Sequence, residues 1–390
     1  MRPTLPVALV LLAAPAGHLA AQRPAPTPGW PALVRALEQY ADSDGVVGAS
    51  AALVRDGRIV ARHHYGFGDR ATGRRVDDRT IFHWASITKT LGAVAVMQLR
   101  DRGHLSLDDP IVRWVPELRR LHDPFGMMDS IPVRLLLSHS AGFRNGTWPY
   151  GGAEWQPFEP TEWAQLVAMM PYQQLEFRPG SRYGYSNPAY VYLARVVERE
   201  SRDPWVAYIQ KNLWSPLGMA RSYTGLTPYH LQADRGHGYE IRRVAGRDSL
   251  VDVGADFDPG ITIPNGGWNA PVDDVAAWAA FLLGRPSDPA TQARYGAVLA
   301  RATLEEMWRP ALASREGYTA GESVGLGFFL LERHGRRIIG HTGDQAGYRS
   351  FLYLDPAAGT AVIVVLNTTN TVRQDRAGWN RLVEAGLGAL

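Results

Sequence analysis

Apolar residues recur at three- and four-residue intervals over residues 30–40, at Leu33, Val34, Leu37 and Tyr40. That spacing predicts an amphipathic helix with Pro31 near its start. The period then changes. Residues 46–54 and 58–65 are apolar, β-prone runs separated by Asp56-Gly57, a two-residue hairpin signal. Residues 86–102 predict another helix, and its stretch 91–97 is apolar almost all round. A helix without a polar face is a buried one, and Gly103 can end it. Helical spacing returns at 160–170, 188–200, 204–213 and 272–283, among loops rich in proline and glycine. Asn187-Pro188 and Asn269 ahead of Pro271 have the chemistry of helix starts. Residues 325–333, 337–341, 348–354 and 361–367 then predict strands, with a turn at 355–359 and a closing helix over 376–387.

Together these elements predict an α/β chain of the α+β kind. An αβ part (about 30–104 and 285–390) encloses a mostly helical part (about 105–284). Short hairpins between strands imply an antiparallel sheet, which separates this chain from doubly wound parallel folds. Ahead of these elements, Arg2 precedes an apolar stretch over 5–16, followed by Ala20 and Ala21. That is the layout of a secretory signal peptide over residues 1–21, and it predicts a periplasmic or secreted location with a single folded unit over 22–390. The stretch is too short, and too broken by Pro6 and Pro15, to span a bilayer as a helix.

Composition narrows the function. With 390 residues, 45% of them hydrophobic, there is ample material for a core. A net charge of +3 without a basic run gives no case for nucleic acid. The absence of cysteine excludes disulfides, a thiol nucleophile and the usual structural zinc ligands. Of the 41 basic residues only Lys89 and Lys211 are lysines. Lysine differs from arginine in one chemical respect: its ammonium can lose a proton inside a protein, whereas guanidinium stays charged.

Lys89 follows Ser86 by three positions, which on a helix share a face. A serine beside a deprotonatable lysine is a nucleophile beside its base, and a helix start favours negative charge developing on the serine oxygen. Tyr185-Ser186-Asn187 opens the helix at Pro188. A tyrosine hydroxyl can relay a proton, and an asparagine amide can hold a substrate carbonyl or the lysine. His341-Thr342-Gly343 ends a strand-like run. Gly343 permits close approach, the backbone N–H of Asp344 can pair with that of Ser86 as an oxyanion hole, and His341 and Thr342 offer polar contacts to substrate. Taken singly, each of these stretches also fits a plain structural part: a capping serine, an ordinary loop, a turn.

Ser-x-x-Lys, Tyr-x-Asn and His-Thr-Gly in this order resemble the three-part signature of serine β-lactamases and penicillin-binding proteins. Further stretches are similar to the class C-type members of that superfamily. They are Tyr65-Gly66-Phe67-Gly68-Asp69, Thr80-Ile81-Phe82, Leu135 to Phe143, Gly266-Gly267-Trp268 and Gly340 with Gly347-Tyr348. The resemblance spans roughly residues 45–370. It implies a β-lactamase/transpeptidase-like fold, an antiparallel sheet flanked by helices beside an all-helical domain, with the active site between them. It also implies a serine hydrolase, exported if the N-terminal segment is a signal peptide, in which Ser86 is acylated, Lys89 and Tyr185 handle its proton, Asn187 holds the substrate amide or the lysine, and His341 faces the substrate's far side. It implies no metal and no cofactor. The substrate it implies is a small molecule or a peptidoglycan-derived peptide.

At position 341 the sequence departs from the β-lactamase pattern, where a lysine supplies a fixed charge for the β-lactam carboxylate. An unshifted histidine is mostly neutral at pH 7. The His-Thr-Gly form is similar to that of some D-alanyl-D-alanine peptidases, D-amino-acid amidases and esterase-like members, so the resemblance implies an acyl-enzyme hydrolase of an ester, amide or D-amino-acid peptide bond, with an esterase-like or D-alanyl-D-alanine-peptidase-like activity favoured over a true β-lactamase. The contrasting possibility is a non-catalytic penicillin- or peptidoglycan-binding protein of the same fold. Gly184-Tyr185-Ser186-Asn187-Pro188 nearly matches a nucleophile elbow but lacks the buried strand that motif requires. His139 reads as a structural histidine, and His63 and His64, adjacent on a strand, face opposite ways. Trp148, Trp155 and Trp163 around Tyr150 suit either a substrate cleft or core packing.

Overall fold

The computed structural model describes residues 27–147, 160–256, 260–286, 288–312, 322–333, 335–345 and 347–390. The expected signal peptide, together with Trp148, Tyr150 and Trp155, lies outside the described residues. In chain order the strands are β1 (Gly48–Arg55), β2 (Arg58–Asp69), β3 (Arg74–Arg75), β4 (Ile81–His83), β5 (Tyr223–Thr224), β6 (Gly238–Val244), β7 (Arg247–Gly254), β8 (Trp268–Pro271), β9 (Glu322–Val324), β10 (Phe329–Arg333), β11 (Arg336–Gln345), β12 (Tyr348–Asp355), β13 (Thr360–Leu366) and β14 (Thr368–Asn370).

Eight of them form one antiparallel sheet in the order β3-β2-β1-β13-β12-β11-β10-β9. The β1–β2 hairpin turns where the sequence predicts, with Asp56 at φ 49° and Gly57 at φ 76°, the left-handed pair that a tight hairpin requires. β1 and β13 are apolar on both faces because the sheet is covered on both. Ala49, Ala51, Leu53, Val362, Val364 and Leu366 pack under the terminal helices Trp30–Asp44 and Arg376–Ala389. Ala52, Val54, Ala361, Ile363 and Val365 face the main core. On that side lies the helix Val272–Leu283, which sequence position groups with the helical middle but which packs on β1, β2 and β13.

The helix Thr88–Asp101 runs through the main core with every residue from Thr88 to Leu99 buried. The helices Asn187–Ser201 and Trp205–Ile209 pack against it from the middle segment. The middle also carries strands that the hydrophobic pattern does not announce. β6 and β7 form a charged, half-exposed hairpin, and β5 and β8 form a small sheet with β4 of the preceding αβ part. Asn269, expected near a helix start, instead sits within β8, paired to His83 of β4. Among the described residues no helix is long and apolar enough to cross a membrane.

Candidate active site

Ser86 stands two residues ahead of the Thr88–Asp101 helix, not inside it. Ala85 holds φ 47°, and the peptides of Ile87, Thr88 and Lys89 close short turns on the carbonyls of Trp84, Ala85 and Ser86. A left-handed alanine costs roughly 1–2 kcal/mol, and the surroundings hold it in place. Trp84 N–H donates to Trp268 O at 2.8 Å, Trp84 Nε1 to Ala270 O at 2.9 Å, and Thr88 Oγ1 to Ala85 O at 2.6 Å. The result is a serine partly open to solvent between buried neighbours.

Lys89 is fully buried one turn further on. Its Nζ lies 3.0 Å from Ser86 Oγ, 2.8 Å from Asn187 Oδ1 and 2.6 Å from the Asn265 carbonyl. None of these partners is anionic. Burial therefore acts unopposed and holds the amine well below the ordinary lysine range. A neutral amine has two N–H donors and one lone pair. Asn187 Oδ1 and Asn265 O can only accept, so they take the two donors and leave the lone pair for the Ser86 hydroxyl.

Tyr185 closes the site from the next helix entrance. Its ring centroid is 5.0 Å from Lys89 Nζ, and its hydroxyl is hydrogen-bonded to the Ser86 side chain. Burial raises the phenol above its ordinary value and outweighs that hydrogen bond, so the hydroxyl stays protonated. The helix cap is Ser186, whose Oγ accepts the Ala189 N–H at 3.2 Å. That occupies Ser186, the serine of the elbow-like stretch, and frees Asn187 for Lys89. Asn145 fixes the Asn187 amide, taking its backbone N–H at 3.1 Å and its Nδ2 at 3.3 Å, so that Oδ1 faces the lysine.

His341, Thr342 and Gly343 lie within β11, not in a turn after it. β10 pairs with β11 only as far as Phe329 opposite Gly340, so residues 341–345 pair with β12 alone and leave one edge of the strand open. Gly343 brings that strand against the serine turn. A Cβ there would stand 2.4 Å from the Trp84 carbonyl and 3.2 Å from the Ala85 Cβ. Asp344, the expected second oxyanion donor, is the next residue. His341 is buried and stacks on Phe329 with ring centroids 4.4 Å apart, and its Nδ1–H donates to the Thr342 carbonyl at 2.6 Å. Burial, reinforced by nearby Lys89, pushes its pKa down to about 3, so position 341 carries no charge at neutral pH.

The structure thus brings Ser86, Lys89, Tyr185, Asn187 and the 341–344 strand together. Three participants went unread in the sequence. The Asn265 carbonyl leaves no side-chain signal, Asn145 has no motif, and His139, read as structural, lies against Tyr185. The 78 residues between the Tyr-x-Asn and Gly-Gly-Trp stretches hide the first, but Gly266-Gly267 flags close backbone approach there: a Cβ on Gly266 would meet Gln345 Oε1 at 2.9 Å.

The beta-lactamase family profile matches residues 33–387. This chain belongs to the beta-lactamase family. Esterase EstB of Burkholderia gladioli is 29% identical over 367 residues, covering 83% of this chain and 86% of the esterase. Among solved structures, an octameric penicillin-binding protein homologue from Pyrococcus abyssi superimposes with a TM-score of 0.73 at 26% identity, over 87% of this chain and 74% of that one. The D-amino acid amidase of Ochrobactrum anthropi SV3 shares the fold with a TM-score of 0.72 at 23% identity, over 92% and 98% of the two chains. The chain is accordingly a beta-lactamase-fold hydrolase with esterase and amidase relatives. Its mixed layers and antiparallel sheet are those expected of the family.

Proposed function

We propose that this beta-lactamase-family hydrolase cleaves uncharged carboxylic esters through an acyl-enzyme on Ser86. The observation that carries this reading is the setting of Lys89: buried, 3.0 Å from Ser86 Oγ, and bonded otherwise to two neutral oxygens. Ser86 Oγ attacks the ester carbonyl carbon while the Lys89 amine takes its proton. The carbonyl oxygen becomes an oxyanion, met by the N–H groups of Ser86 and Asp344. The carbon–oxygen bond to the alcohol then breaks. Tyr185 gives its proton to the departing alkoxide and regains one from Lys89. Water attacks the acyl-enzyme, the acid leaves, and Ser86 recovers its proton.

The choice of an uncharged ester rests on His341. A substrate with a carboxylate beside the scissile bond needs a cation in its path, and the imidazole at 341 is neutral. The 29% identity to an esterase over most of both chains supports the same choice. Arg2 and the apolar stretch over 5–16 support export as the setting of the activity.

A substrate panel tests the reading. The expected order of kcat/KM is short-chain p-nitrophenyl ester first, D-phenylalanine amide second, and nitrocefin or a D-Ala-D-Ala peptide at least about tenfold below the ester. Nitrocefin turned over faster than every ester would overturn the ester assignment, and turnover of none would overturn the hydrolase mechanism.

A further inference from the structure

His139 is held in a conformation that few residues adopt, with φ 53° and its ring buried. It contacts the Tyr185 segment in three separate ways. Its ring stacks on the Tyr185 ring, with centroids 4.2 Å apart and planes at 25°. Its Nδ1 accepts the Ser186 N–H at 3.1 Å. Its backbone carbonyl accepts the Gly184 N–H at 2.8 Å. The peptides on either side of Tyr185 are therefore tied to one histidine, and the phenol lies flat on that histidine's face.

The tautomer follows from the same contacts. Nδ1 faces a backbone donor, so the ring proton sits on Nε2, which has no partner among the described residues. The left-handed backbone lets the ring lie back over residue 185 while the carbonyl still reaches Gly184. Neighbouring bonds stiffen the platform. Tyr190, whose ring is 5.1 Å from that of His139, donates its hydroxyl to Leu137 O at 2.9 Å, and Ser140 O accepts the Gly180 N–H at 2.8 Å.

We propose that His139 is the positioning residue for Tyr185, setting the phenol hydroxyl where it can protonate the leaving alcohol. The proposal rests on the acid role given to Tyr185 above. A misplacement of about 1 Å in a proton donor costs on the order of 100-fold, and the loss falls only on substrates whose leaving group needs a proton. p-Nitrophenolate leaves without one; an alkoxide does not.

The experiment measures kcat/KM for p-nitrophenyl, phenyl and ethyl butyrate with the full chain. His139→Phe keeps the stacked ring and removes the Nδ1 acceptor, while His139→Asn returns an acceptor and tolerates the left-handed backbone. The expected result for His139→Phe is a loss of roughly 10- to 100-fold on ethyl butyrate through kcat, less than about threefold on p-nitrophenyl butyrate, and partial recovery in His139→Asn. Tyr185→Phe should show the same leaving-group dependence. The double variants, His139→Phe or His139→Asn with Tyr185→Phe, should lose no more than Tyr185→Phe alone. If His139→Phe does not fold, the Asn variant and its double carry the comparison. Equal losses on all three esters, or losses that multiply in the double variant, would overturn the positioning role while leaving the proposed function standing. A Tyr185→Phe enzyme without leaving-group dependence would remove the acid role itself.

Discussion

Replacing Lys89 with methionine changes how stability depends on pH, by an amount that follows from the burial of the amine. In the unfolded chain a lysine keeps its proton up to about pH 10.4. In the folded protein burial holds Lys89 well below that range, with only neutral oxygens around it. Between the two values the unfolded state binds one proton more than the folded state. Wild-type stability therefore rises with pH across this window and is lost as pH falls. The slope is about 1.4 kcal/mol per pH unit for one proton. Lys89→Met removes it. From pH 7 to pH 9 the wild type should gain stability relative to the variant, by up to about 3 kcal/mol for one proton over two pH units. The three hydrogen bonds of Nζ are absent from the variant at both pH values, and His139 and His341, whose pKa values Lys89 also lowers, are held below this window chiefly by burial, so these contributions cancel. Urea unfolding of both proteins at pH 7 and pH 9 gives the difference. A gap that does not change with pH would mean that Lys89 is protonated in the folded state, and it would refute its use as a base.

Other consequences concern the same few atoms. Lys89→Arg keeps a positive charge but removes the lone pair; acylation measured by stopped-flow with an activated ester should fall roughly 100- to 10,000-fold, and near-normal rates would make Lys89 structural. Gly343→Ala places a Cβ 2.4 Å from the Trp84 carbonyl and 2.5 Å from Ser350 Oγ. Thermal and kinetic measurements should show a stability loss of about 1–3 kcal/mol and a kcat loss on the order of 100-fold, and unchanged kcat would detach β11 from the reacting atoms. Because burial pushes His341 down to about 3, the ratio of kcat/KM for an anionic ester to that for its neutral analogue should stay flat from pH 8 to pH 5. A tenfold climb as pH falls would show the imidazole charging near its ordinary value.

Much of this arrangement is legible in the sequence because it depends on residue type and local spacing. Lysine is rare here and lies three positions from a serine. Asp56-Gly57 can hardly be anything but a tight turn between apolar runs, and residues 272–283 form the helix that their spacing predicts. The misses share physical causes. Ser86 is read into the helix because the pattern continues through it, whereas the left-handed Ala85 is set by tertiary bonds from Trp268 and Ala270 that no local sequence encodes. β11 runs on to Gln345 although histidine, threonine and glycine interrupt its apolar pattern, because one edge of that stretch pairs with no strand and need not look like a core strand. The β6–β7 hairpin escapes notice because charged residues line it and Ala245-Gly246 makes its turn, with φ values of 48° and 79°. A backbone carbonyl such as that of Asn265 is invisible until the chain is folded around Lys89.

The central claim is that Ser86 becomes acylated with Lys89 as its base. Intact mass spectrometry of the protein, quenched during turnover of an activated ester, tests this most directly. The expected result is a mass increase equal to the acyl group, mapped to the peptide containing Ser86, absent from Ser86→Ala and strongly delayed in Lys89→Arg. An adduct that persists in Ser86→Ala, or its absence from the wild type during measurable turnover in which acylation outpaces deacylation, would contradict the account.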